Sequence, residues 1–241
     1  MRIKLPLFLI MLRLVSTVHG QPLTKQYKHF LINHSKLREV NYHILSKDSS
    51  IKKPVLLWLD GSGCIPLRTV VEDTKKSRYT LSSIMIKADS LADFFHVVLI
   101  SKPGIPFTDT VHVESLQTFD YGKFAETKYV DQQCGRSYND RASLNWRAEA
   151  AALVLDDLHN KVNIDQKRII VAGHSEGAPV AAKVATLSPH VTHVGCFSGP
   201  GLSQLYDFVI GPRKQVLTGE LTAEQAQAKI DSNLVIFREI V

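Results

Sequence analysis

Apolar positions along the chain fall into two patterns. Four stretches are apolar almost without interruption and stop at glycine or proline: "PVLLWLDGSG" at 54–63, "DFFHVVLISKPG" at 93–104, "KRIIVAG" at 167–173 and "VTHVGCFSG" at 191–199. Runs this short and continuous predict strands buried on both faces. Between the second and third, "RASLNWRAEAAALVLDDLHN" carries apolar residues at 144, 148, 151, 152, 155 and 158, the spacing of one helix face. "APVAAKVATL" after the third stretch predicts another helix, and residues 26–46 predict two short strands. Strand, helix, strand, helix, strand predicts an α/β fold, with a mostly parallel sheet flanked by helices. Any ligand site would lie at the carboxyl ends of the strands, where the glycine turns fall.

Other segments are less regular. Residues 81–92 predict a surface helix, while 105–140, rich in Thr, Asp, Gly and Tyr without a sustained period, predict an irregular excursion over the surface. After Gly199 come "LSQLYDFVIG", a short apolar helix, and "TAEQAQAKIDSNLVIFREI", a second helix with Thr222 placed to cap it.

The first twenty residues read differently from the rest. "MRIK" is a basic start, "LPLFLIMLRLVSTV" a short apolar stretch, and Val18 and Gly20 stand where a signal peptidase would inspect the chain. This layout predicts a cleaved signal over 1–20 and a secreted or periplasmic domain over 21–241, although Arg13 interrupts the apolar run. The stretch is too short for a comfortable membrane span, so no stable span is expected after its removal. Losing Arg2, Lys4 and Arg13 lowers the net charge by three, from +6 to +3. Much of the basicity thus belongs to the export signal, and a nucleic-acid partner gains no support. In an exported chain a Cys64–Cys134 disulfide is possible, both residues falling in predicted loops; Cys196, in an apolar run, is expected to be a small buried residue. No cysteine or histidine spacing resembles a zinc site, so neither metal nor cofactor is implied.

The chemistry concentrates at Gly173-His174-Ser175-Glu176-Gly177, a G-x-S-x-G motif with a strand before it and a helix after. Such a turn needs little bulk beside the serine and sets its hydroxyl at a helix N-terminus, where backbone N–H groups favour developing negative charge. Acyl transfer also needs two N–H donors for the oxyanion. One is expected from Glu176, following the serine. The other would come from the Gly61-Ser62-Gly63 turn, with Ser62 favoured over Gly63.

Both glycine turns, their order and the alternation of elements resemble the α/β-hydrolase fold over residues 26–200, and "GHSEG" is similar to elbows of its esterases and serine peptidases. The resemblance implies Ser175 as nucleophile, with the N–H groups of Glu176 and of Ser62 or Gly63 as oxyanion hole. It implies a packing role for His174 behind the elbow, and a Glu176 carboxylate directed to the cleft or helix face. It also implies an acid and then a histidine after the serine, yet no histidine follows His193. Residues 201–241 resemble a helical lid inserted ahead of those missing strands, as in a shortened hydrolase.

Two functions compete. One is a serine hydrolase acting on small ester or peptide substrates through a Ser175 acyl-enzyme. The other is a truncated or non-catalytic hydrolase-like protein that at most binds a ligand or partner. Nucleotide binding has little support, since neither glycine turn gives G-x-G-x-x-G and no P-loop lysine is present.

Overall fold

A computed structural model describes residues 26–120, 123–124, 134–199 and 204–240. These divide into two compact units, one ending at Phe197 and one beginning at Ser198. The strands of the first unit are β1 (Tyr27–His34), β2 (Arg38–Leu45), β3 (Lys53–Leu59), β4 (Arg68–Asp73), β5 (Arg78–Ser82), β6 (His96–Ile100), β7 (Thr108–Val113), β8 (Ile164–His174) and β9 (His193–Phe197). Its helices are α1 (Ala88–Leu91), α2 (Arg136–Arg141), α3 (Leu144–Leu158) and α4 (Gly177–Leu187).

The main sheet has six strands in the order β1-β2-β6-β3-β8-β9. The strands β6, β3, β8 and β9 pair parallel, whereas β2 is antiparallel to both β1 and β6. The sheet is therefore mixed, where the sequence predicts a mostly parallel one. The cause is the β1–β2 hairpin, whose short connection forces antiparallel pairing before the first crossover.

Continuous apolar runs arise because both faces of the sheet are covered. Along β3, Val55, Leu57 and Leu59 belong to one buried cluster and Trp58 to another; along β6, Val98 and Ile100 join the first while Val97 and Leu99 join the second. The first cluster takes in Trp146, Ala148, Ala151, Val154, Leu155 and Leu158 of α3 with Val180, Ala181 and Val184 of α4. Helix α3 starts where the sequence changes character: Ser143 Oγ accepts the Trp146 N–H at 3.1 Å, a side-chain cap.

A second sheet, order β5-β4-β7, is absent from the sequence expectation. It replaces part of the surface helix expected over 81–92, of which only α1 forms, and part of the irregular excursion over 105–140. Its hairpin rests on one aspartate: Asp73 Oδ1 accepts the N–H groups of Lys75 and Ser77, both at 2.9 Å.

The second unit is the predicted helical pair, α5 (Gln204–Leu217) and α6 (Ala223–Ile240). Thr222 Oγ1 accepts the Gln225 N–H at 3.2 Å while Gln225 Oε1 accepts the Thr222 N–H at 2.9 Å, a reciprocal cap. Pro212, Ala226 and Ile230 are among its buried positions.

Candidate active site

Strand β8 ends at His174 and the chain turns sharply into α4. Ser175, at the turn, has φ of 54°. That left-handed conformation is sterically costly for a residue with a Cβ, by about 1–3 kcal/mol, and persists only where surroundings enforce it. Here the Ser175 N–H donates to Phe197 O at the end of β9 at 2.9 Å, and Ser175 O accepts the Ala178 N–H at 3.0 Å.

Both motif glycines are sterically required. A Cβ on Gly173 would lie 2.0 Å from Gly177 O, and one on Gly177 would lie 2.2 Å from Leu59 O. The elbow therefore folds back on itself and presses against the end of β3. The chain leaving β3 passes directly by the serine: a Cβ on Gly61 would be 3.3 Å from Ser175 Cβ and 3.7 Å from its Oγ. Ser175 and the 61–63 turn, 112 or more residues apart in sequence, thus share one place at the carboxyl ends of the central strands.

The sequence-named oxyanion donors differ in their surroundings. Gly63 adopts φ of 84°. Ser62 sits between Gly61, beside Ser175, and Gly63. Glu176 stands at the N-terminus of α4. Its carboxylate Oε1 lies 3.6 Å from Nη1 of the buried Arg147.

Sequence reasoning missed the ionic group beneath the turn. Asp60, Lys102 and Arg147 are 8%, 6% and 5% exposed. Lys102 Nζ lies 2.9 Å from Asp60 Oδ2, and Arg147 Nη2 donates to Asp60 Oδ1 at 3.0 Å. Burial pulls the Lys102 pKa down, while the Asp60 carboxylate opposes the shift. Burying three charges is sustainable only because each finds a counter-charge. The available signal was placement: Asp60 and Lys102 end apolar strand runs, and Arg147 interrupts an apolar helix face.

Several histidines are engaged away from the serine. His29 Nδ1 and His43 Nδ1 are 2.7 Å apart, and His43 Nε2 is 2.9 Å from Ser101 Oγ. His96 meets Ser46 and Asn163, His190 pairs with Asp156 at 3.1 Å and meets the His159 ring edge-on, and His193 contacts Thr192. No described histidine hydrogen-bonds to the Ser175 hydroxyl. Among the described residues no cluster of three His, Cys, Asp or Glu could hold a metal ion. No described helix is long and apolar enough to cross a membrane.

Cys64 and Cys134 form the disulfide, with Cα atoms 5.3 Å apart. Cys196 is an exposed free thiol, not the buried residue expected, because its strand β9 lies at the edge of the sheet.

No protein-family model matches the chain, and no curated protein matches it. Solved structures resemble it loosely. Against a puromycin hydrolase the TM-score is 0.45 at 15% identity, covering 78% of this chain and 24% of that one. For an acylaminoacyl peptidase from Pyrococcus horikoshii the values are 0.43 and 12%, covering 83% and 26%. A 2,6-dihydroxy-pseudo-oxynicotine hydrolase gives 0.42 and 16%, covering 86% and 48%. The chain thus spans between about a quarter and a half of the length of these three proteins.

Proposed function

We propose that the chain is a serine hydrolase of the α/β-hydrolase type, acting on ester or peptide acyl groups. One observation carries this: Ser175 is held at positive φ in a strand-to-helix elbow, with the Gly61 turn packed against its hydroxyl. Strain of this kind is retained at functional turns more readily than at ordinary ones. In the first half-reaction Ser175 Oγ attacks the acyl carbon and its proton passes to a base. The tetrahedral oxyanion accepts the N–H groups of Glu176 and of Ser62. Collapse expels the protonated alcohol or amine and leaves an acyl-Ser175 ester. Water then attacks that ester, releasing the acid and returning the proton to Ser175. Between the two candidate donors of the turn the reading takes Ser62, which directly follows the Gly61 packed beside Ser175.

This chemistry asks for a base at Ser175 Oγ. The second reading, a hydrolase-like protein that binds a ligand or partner without turnover, is favoured by the lack, among the described residues, of a histidine hydrogen-bonded to that hydroxyl. The leader-like residues 1–20 and the Cys64–Cys134 disulfide support a secreted or periplasmic setting.

The deciding experiment treats the purified chain with a fluorophosphonate and measures intact mass beside Ser175→Ala. A single adduct that disappears in the variant is the expected result. A folded chain that takes up no adduct would replace the hydrolase with the non-catalytic reading.

A further inference from the structure

The buried cations under the Gly61–Gly63 turn take no part in the acyl-transfer steps, yet they grip the backbone on which those steps depend. Lys102 Nζ donates to Gly61 O and to Gly63 O, each at 2.6 Å, and its third partner is Asp60 Oδ2. Arg147 Nη2 donates to Asp60 O at 2.6 Å. The carbonyls of residues 60, 61 and 63 are therefore all turned toward buried positive charge.

Turning a carbonyl also aims an N–H. No peptide bond among the described residues is cis. In a planar trans peptide the N–H of residue i+1 points opposite to the C=O of residue i. Anchoring Gly61 O on Lys102 thus points the Ser62 N–H away from the cation, in the very turn whose Gly61 lies against Ser175. Three acceptors occupy the three protons of the ammonium, leaving Lys102 neither a lone pair nor a spare proton for the serine. A Ser–Lys proton relay is inconsistent with this bonding.

The geometry points to Lys102 as a positioning residue that, by holding the Gly61 and Gly63 carbonyls, aims the Ser62 N–H at the oxyanion formed on Ser175 acylation. This inference rests on the hydrolase reading for its chemistry, but not for its geometry. Asp60 keeps the cation in place, and Arg147 fixes the preceding peptide in the same sense. An oxyanion hole built this way is preorganised, because its donors need not reorient as charge develops.

The test measures orientation and reactivity separately, in the full chain. Residual dipolar couplings report the direction of the Ser62 and Cys64 N–H bonds in wild type, Lys102→Met and Lys102→Arg. Fluorophosphonate labelling reports the reactivity of Ser175. In Lys102→Met the two N–H vectors should turn while couplings elsewhere persist, and the maximal labelling rate should fall about 100-fold with little change in half-saturation. Lys102→Arg, which retains a cation, should recover part of that rate. A folded Lys102→Met chain with an unmoved Ser62 vector overturns the inference. Should that variant fail to fold because Asp60 is left unpaired, Asp60→Asn combined with Lys102→Met removes the orphan charge, and the same vectors decide. In wild type, coupling from the Lys102 ammonium nitrogen to the Gly61 and Gly63 carbonyl carbons is expected, and its absence also overturns it. If wild type takes no label, the hydrolase reading fails while the vectors still judge Lys102.

Discussion

His43 shows how a single buried side chain makes the fold sensitive to pH. It is 4% exposed, packed on the Phe107 ring and bonded to His29 and Ser101. Burial, with the His29 ring adding to it, lowers its pKa from 6.5 to about 3. Unfolding restores the ordinary value, so between those limits the unfolded chain binds a proton that the folded chain refuses. The contribution to stability is complete above pH 6.5 and declines as pH falls toward 3, by up to about 1.4 kcal/mol per pH unit. Urea unfolding at pH 7 and pH 4 should therefore show a larger loss in wild type than in His43→Gln. Equal losses would rule His43 out as the titrating group. Nothing in the sequence singles this histidine out, since "NYHIL" gives no hint that its neighbour across the hairpin is His29. The same limit hid Lys102 and Arg147. The turn at Ser175 was legible because five adjacent residues build it, whereas the ionic group of Asp60, Lys102 and Arg147 is assembled from three separate segments.

At the level of elements, the spacing between β3, β8 and α4 is set by the absence of two side chains. A methyl group on Gly177 would meet backbone oxygens of Leu59 and Asp60, at 2.2 and 2.7 Å, and neither can swing aside as a side-chain tip would. Gly177→Ala should lower stability by at least about 2 kcal/mol and displace the elbow from β3. Beyond its chain neighbours, a Cβ on Gly211 in α5 would meet nothing within 4 Å, and only the ring of Pro212 disfavours it, so Gly211→Ala should cost clearly less than Gly177→Ala. Thermal midpoints of the two variants test the contrast, and a Gly177→Ala chain as stable as wild type contradicts the packing described. The elements around this junction were readable because each is either apolar throughout or apolar on one helical face. The strands β4, β5 and β7 were not. All three are short, β5 and β7 are partly exposed, and β4 pairs parallel with β7 across 40 residues, a partnership that no local period encodes. The hairpin β1–β2 was read as two strands, but its antiparallel entry into the sheet depends on the position of β6.

For the whole first unit, one covalent bond ties the turn beside Ser175 to a segment 70 residues later in the chain. Cys64 follows Gly63 directly, and Cys134, just ahead of α2, accepts at its backbone O the side-chain amide of Asn139 in that helix at 2.8 Å. The disulfide ties the end of the 61–64 turn to the segment before α2, while Lys102 and Arg147 hold the carbonyls of residues 60, 61 and 63. Closing a loop of that length removes unfolded-state entropy worth about 4 kcal/mol on the chain-entropy account. The double variant Cys64→Ser with Cys134→Ser should lose roughly that much in urea unfolding. Thiol counting gives an independent check: iodoacetamide on the native chain should modify Cys196 alone, and all three cysteines after reduction and unfolding. Three modified thiols without reductant, or a double variant as stable as wild type, would remove the disulfide from this account. Should stability fall while Ser62 keeps its N–H direction, the turn is oriented by its buried cations, and the disulfide acts on the unfolded chain alone.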